Sequence, residues 1–74
     1  MTDQQREVIE AASLFVVLSE AATERSRAEH RARSSEPDPV RVLRAVEARA
    51  TAEAAAMAAE ARLHEAVRAL GAPQ

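Results

Sequence analysis

Apolar residues in this chain recur at helical rather than strand spacing. Val8, Phe15 and Ala22 share one heptad line, with Ala11 and Leu18 on one side of it and Ala12 and Ser19 on the other. Leu14 and Ala21, then Ile9 and Val16, widen the stripe further. Only the lines Ser13–Glu20 and Glu10–Val17–Glu24 stay polar, and Val17 interrupts the second. In the second half, Val42, Ala56, Leu63 and Leu70 form a line broken by Arg49, and Leu43, Ala50, Met57 and His64 form another. Val46, Glu53, Glu60 and Val67 run between those two, beside a line made only of alanine: Ala45, Ala52, Ala59 and Ala66. β-Branched residues nowhere alternate with polar ones over a useful length, so no strand is expected.

The punctuation divides this pattern into two helices. Thr2 and Gln5 have the spacing of a capping box, and Asp3 and Glu7 suit the positive end of the helix dipole. Ser34 to Pro39 interrupts the pattern: Pro37 and Pro39 forbid a continuing helix, while Asp38 is a good N-cap with Pro39 at the first helical position. Gly71 is expected just past the second helix, with Pro73 as a stop beyond it. Helix 1 is therefore predicted over about residues 3–33, a loop over about 34–38, and helix 2 over about 39–70. Each helix would be roughly 45–50 Å long, and equal lengths joined by a short loop predict an all-α antiparallel two-helix hairpin as a single domain. Folding at the loop places Arg6 near Glu65, Glu10 near Arg62, Arg25 near Glu47 and Glu29 near Arg44.

The two helices differ in bulk. The alanine line of helix 2 lets a partner helix approach closely and lies opposite the bulky Leu14–Leu18 segment. One alanine-lined helix cannot cover all of helix 1, because a single neighbour covers a narrower stripe. A homodimer forming a coiled-coil-like four-helix bundle solves this by symmetry, with Val8, Leu14, Phe15, Val16, Leu18, Met57 and Leu63 as the expected interface. A different helical protein supplying the missing helices is the alternative.

Composition sharpens the covering problem. The chain has 74 residues and is 47% hydrophobic, but 19 residues are alanine and only 15 after Met1 are large aliphatics or Phe. A chain of this size rarely buries enough apolar surface to stand alone without staples. Cys, Trp and Tyr are absent and Phe15 is the single aromatic, which excludes a disulfide framework, a Cys-ligated zinc site and aromatic base stacking. All ten basic residues are Arg, which together with the alanine content fits a GC-rich coding sequence of bacterial or phage type. No basic leader precedes an apolar run, and Leu14–Leu18 is far short of the ~18 residues of a membrane span. A cytoplasmic or virion-associated protein is expected.

Three groups carry candidate chemistry. Glu53 and Glu60 stand in the middle of the apolar positions of helix 2, with Arg49 and His64 each one turn away. Carboxylate-bridged bundle metal sites use Glu-x-x-His, whereas Glu60 and His64 are spaced one residue wider and helix 1 offers no facing carboxylate, so register-setting polar residues are expected rather than a metal or other cofactor. His30 lies among charges, beside Glu29 and Arg31. No nucleophile, base and acid arrangement exists, and one glycine cannot build a phosphate loop, so catalysis is not expected.

Charge is the third group. The overall charge is −2, but residues 25–49 hold seven Arg against four acids, while residues 1–24 hold one Arg against five. The loop end is therefore basic and the terminal end acidic. Arg25, Arg27, Arg31, Arg33, Arg41 and Arg44 become candidate phosphate contacts, and nucleic-acid binding is the alternative function. Interleaved acids make a solvated, salt-bridged surface or polar attraction between molecules equally compatible. The leading expectation is a non-enzymatic, self-associating module acting through protein–protein contact.

Overall fold

The computed structural model describes residues 1–35 and 38–72. The expected breakers Pro37 and Pro73 lie outside those residues. Two helices, α1 (Asp3–Ser34) and α2 (Pro39–Gly71), pack against each other.

Local chemistry explains where each helix begins and ends. Thr2 Oγ1 accepts from the Gln5 backbone N–H at 3.1 Å, and Gln5 Oε1 accepts from the Thr2 N–H at 2.9 Å, completing the capping box. At the other end of α1, the Ser34 and Ser35 hydroxyls donate to the His30 and Arg31 carbonyls at 2.8 and 3.0 Å. These bonds satisfy carbonyls that the absent next turn leaves without a partner. Asp38 caps α2 by accepting from the Val40 N–H at 3.0 Å, with Pro39 in the first turn. Gly71 departs from expectation. It is the last helical residue rather than a left-handed residue beyond the helix, and Ala72 caps α2 in an extended conformation. Nothing lies within 4 Å of where a Gly71 side chain would stand, so no packing contact forces the chain to turn there.

The hairpin is long and flat, 58 × 16 × 12 Å, with a radius of gyration of 16.7 Å. A globular domain of this length would have a radius of gyration of about 11 Å. Its seam is built on small residues. Ala11 is fully buried, Ala32, Ala56, Ala59 and Ala66 are nearly so, and no large side chain among the described residues is fully buried. Val8, Phe15 and Leu18 of α1 and Val42, Val46 and Leu63 of α2 are half-buried around them.

This seam corrects two sequence expectations. Helix α2 turns inward its alanine line and the neighbouring line of Val42, Arg49, Ala56 and Leu63, so Glu53 and Glu60 are exposed rather than central. Close approach over alanine brings the two backbones together and maximises dispersion contact along the whole seam. None of the four expected cross-helix charge pairs is among the ion pairs formed, although Glu10 lies close enough to Arg62 to raise its pKa and Arg25 and Glu47 border one groove. Glu7 instead pairs with Arg62 at 2.8 Å, and Glu29 with Arg49 at 3.0 Å. Glu29 continues the line of Val8, Phe15 and Ala22, so it meets the inward Arg49 rather than the outward Arg44.

Candidate interaction surfaces

The flat hairpin presents two broad faces, because e-type positions of antiparallel helices flank one side of the seam and g-type positions the other. The first face is apolar. Phe15, Ser19 and Met57 border one shallow groove on it with Glu53 and Glu60 at its edge, and Val42, Leu43 and Val46 border another beside Arg33. Val16 is one turn from Ser19, Ile9 one heptad before Val16, and Val67 one heptad after Glu60. Ile9, Val16, Leu43, Met57 and Val67 are all exposed, Met57 at 72% and Val16 at 53%.

The expected interface residues therefore separate into two groups. Val8, Phe15, Leu18 and Leu63 are half-buried at the seam within the hairpin. Leu14, Val16 and Met57 remain exposed. Leu14 lies on the g-type side, away from Val16 and Met57. Ile9, Leu43 and Val67 join the exposed apolar face, though the sequence pattern does not single them out. Their heptad lines contain them, but each line is diluted by polar residues or alanine.

The second face is basic at the loop end. Arg25 and Arg31 of α1 and Arg41 and Arg44 of α2 border one groove of about 330 Å³ floored by alanines. Arg27 and Arg33 do not join them. Each is two residues past a groove arginine, about 200° around the helix. Arg27 lies 3.8 Å from Glu24, and Arg33 lies 3.7 Å from Glu29.

A polar cluster interrupts the seam between these faces. Arg49 donates to Glu29 across the helices at 3.0 Å and to Glu53 one turn on at 2.9 Å. The Glu29 side chain is only 14% exposed, and its Oε1 is shielded from solvent with no hydrogen-bond partner. The two carboxylates raise the Arg49 pKa further, the hydrogen bond it donates to Glu29 contributing most. At the terminal end, the Arg62 hydrogen bond holds the Glu7 carboxyl below its ordinary value. Sequence spacing found the Arg49–Glu53 contact but paired Glu29 with the wrong arginine.

Arg49→Gln should lower the melting temperature by about 5 °C or more, because it leaves the half-buried Glu29 carboxylate with only the more distant Arg33, 3.7 Å away. The double variant Glu29→Gln/Arg49→Gln should melt higher than Arg49→Gln alone, since no half-buried charge is orphaned. Equal melting curves by circular dichroism for all three proteins would remove this pair from the forces holding register.

Among the described residues no three His, Asp or Glu side chains gather where they could hold a metal ion. Glu60, His64 and His30 are exposed. No helix described is long and apolar enough to cross a membrane. No protein-family model, curated protein or solved structure matches the chain.

Proposed function

We propose that this chain is a non-enzymatic protein–protein interaction module. Two hairpins join through the face of Ile9, Val16, Leu43, Met57 and Val67 to form a four-helix bundle. Such a bundle serves as a small adaptor, regulator or assembly component, cytoplasmic or virion-associated. The observation that carries this reading is the exposure of those five large side chains on one side of a hairpin whose own seam buries only alanine fully.

Surface area supports a second copy as the covering partner. The hairpin exposes 5564 Å². A compact 8.0 kDa monomer exposes about 4,450 Å². The excess of roughly 1,100 Å² exceeds the ~800 Å² that each partner buries in a standard interface. A flat face on a short rod also suits a two-fold axis, which covers the same patch on both copies at once.

Sedimentation equilibrium on the wild-type chain at micromolar concentration should find a particle of twice the chain mass. A fully helical particle of 8.0 kDa throughout that range would overturn self-association and leave a different helical protein as the covering partner.

A further inference from the structure

The basic face carries chemistry that self-association through the apolar face does not use. Four arginines converge there on a floor of alanines contributed by both helices, and among the described residues no acid borders the groove. Arg31 is engaged by Glu24 at 3.3 Å, but both side chains are more than 60% exposed, and a pair so solvated is easily exchanged for another anion. Arg25, Arg41 and Arg44 form no ion pair among the described residues. Of the described acids nearby, Glu29 is committed to the seam and Asp38 to the α2 cap, while Glu47 stands beyond Arg44, outside this groove. A protein with net charge −2 thus concentrates uncompensated guanidinium groups at one place.

The shape selects among anions. The groove runs along the helices and continues past Arg25 and Arg44 into a second shallow groove bordered by alanines, Thr51 and Glu47, so it is open along its length rather than closed around a compact ion, and its most basic stretch lies at the loop end. Arg25 and Arg31 are about 9 Å apart along α1, more than one backbone repeat of a nucleic-acid strand, so the two can meet different phosphates. Guanidinium forks match phosphate oxygens two at a time. The groove borders contain no aromatic ring for stacking and no amide side chain for reading base edges.

We propose that this groove binds the phosphodiester backbone of a nucleic-acid strand, without base selection. The site lies across the hairpin from the apolar face, so a dimer would carry two such grooves. The inference does not depend on self-association.

Fluorescence anisotropy of the full chain with a labelled single-stranded 20-mer tests it. Four phosphate contacts predict a slope of about −3 for log affinity against log salt, or about a fifty-fold loss between 50 and 200 mM. Arg25→Gln/Arg44→Gln should weaken binding by about tenfold or more and roughly halve the slope. Arg27→Gln/Arg33→Gln removes the same charge outside the groove and should change affinity by less than about twofold. No binding at 50 mM salt, equal losses from both pairs, or equally tight binding of inorganic tripolyphosphate would each overturn the proposal. It would also fall if the groove pair changed sedimentation and left anisotropy unaltered, because the groove would then hold an acidic segment of a second copy.

Discussion

Glutamate at both Val16 and Met57 should convert the protein to a monomer and lower its melting temperature by about 10 °C or more. Neither side chain fills the seam; they are 53% and 72% exposed, so the substitutions leave the hairpin's internal contacts in place. In the proposed dimer each copy contributes both residues, and full burial of a Val or Met side chain is worth about 1.5–3 kcal/mol. Four such losses, with four carboxylates brought together, exceed what a small interface can tolerate. Wild-type melting should rise with protein concentration, whereas melting of the variant should not. Circular dichroism at several concentrations, with sedimentation alongside, checks both points. A variant that sediments and melts like the wild type would eliminate this face as the interface.

Leu18→Glu and Phe15→Ala, changes at two residues that the sequence places in the expected interface, answer a different question. Both residues are half-buried at the seam, so either change attacks the hairpin before it reaches any partner. Loss of association there would report folding.

The parts of this fold legible in sequence are those governed by neighbouring residues. The capping box at Thr2–Gln5 and the Asp38–Pro39 start depend on groups within three residues of each other, and the structure forms both. The face that α2 turns inward depends on a partner helix, and periodicity offers two stripes of similar strength. Side-chain size decides between them, because the alanine line allows the closer approach. Glu53 and Glu60 are left outside as a result. Charge matching is degenerate for a related reason. Arginine side chains are long, so from sequence alone positions five residues apart, such as Arg44 and Arg49, both look able to reach Glu29. The arginine groove needs both helices and the angle of each residue around its axis, so a linear run of six candidates reduces to four only once the hairpin is built.

The alanine seam yields a contrast between residues that look alike in sequence. Ala58 and Ala59 are neighbours in one alanine-rich run, yet Ala58 is exposed and Ala59 is 5% exposed at the seam. Ala59→Leu should cost about 1–3 kcal/mol by forcing the helices apart, and Ala11→Leu should cost about as much, because Ala11 is fully buried. At ~4–8 °C per kcal/mol, each change lowers the melting temperature by about 10 °C. Ala58→Leu should shift it by no more than about 2 °C, since leucine is nearly as good a helix former and meets solvent there. The double variant Ala11→Leu/Ala59→Leu places two leucines where close approach is the main source of packing. A chain of this length has a total stability of only about 4–11 kcal/mol, so the pair should leave it largely unfolded at 37 °C. If Ala59→Leu melted like Ala58→Leu, the separation of the helices would be set by Phe15, Leu18 and Leu63 instead, with slack enough at the alanines to accept a larger side chain.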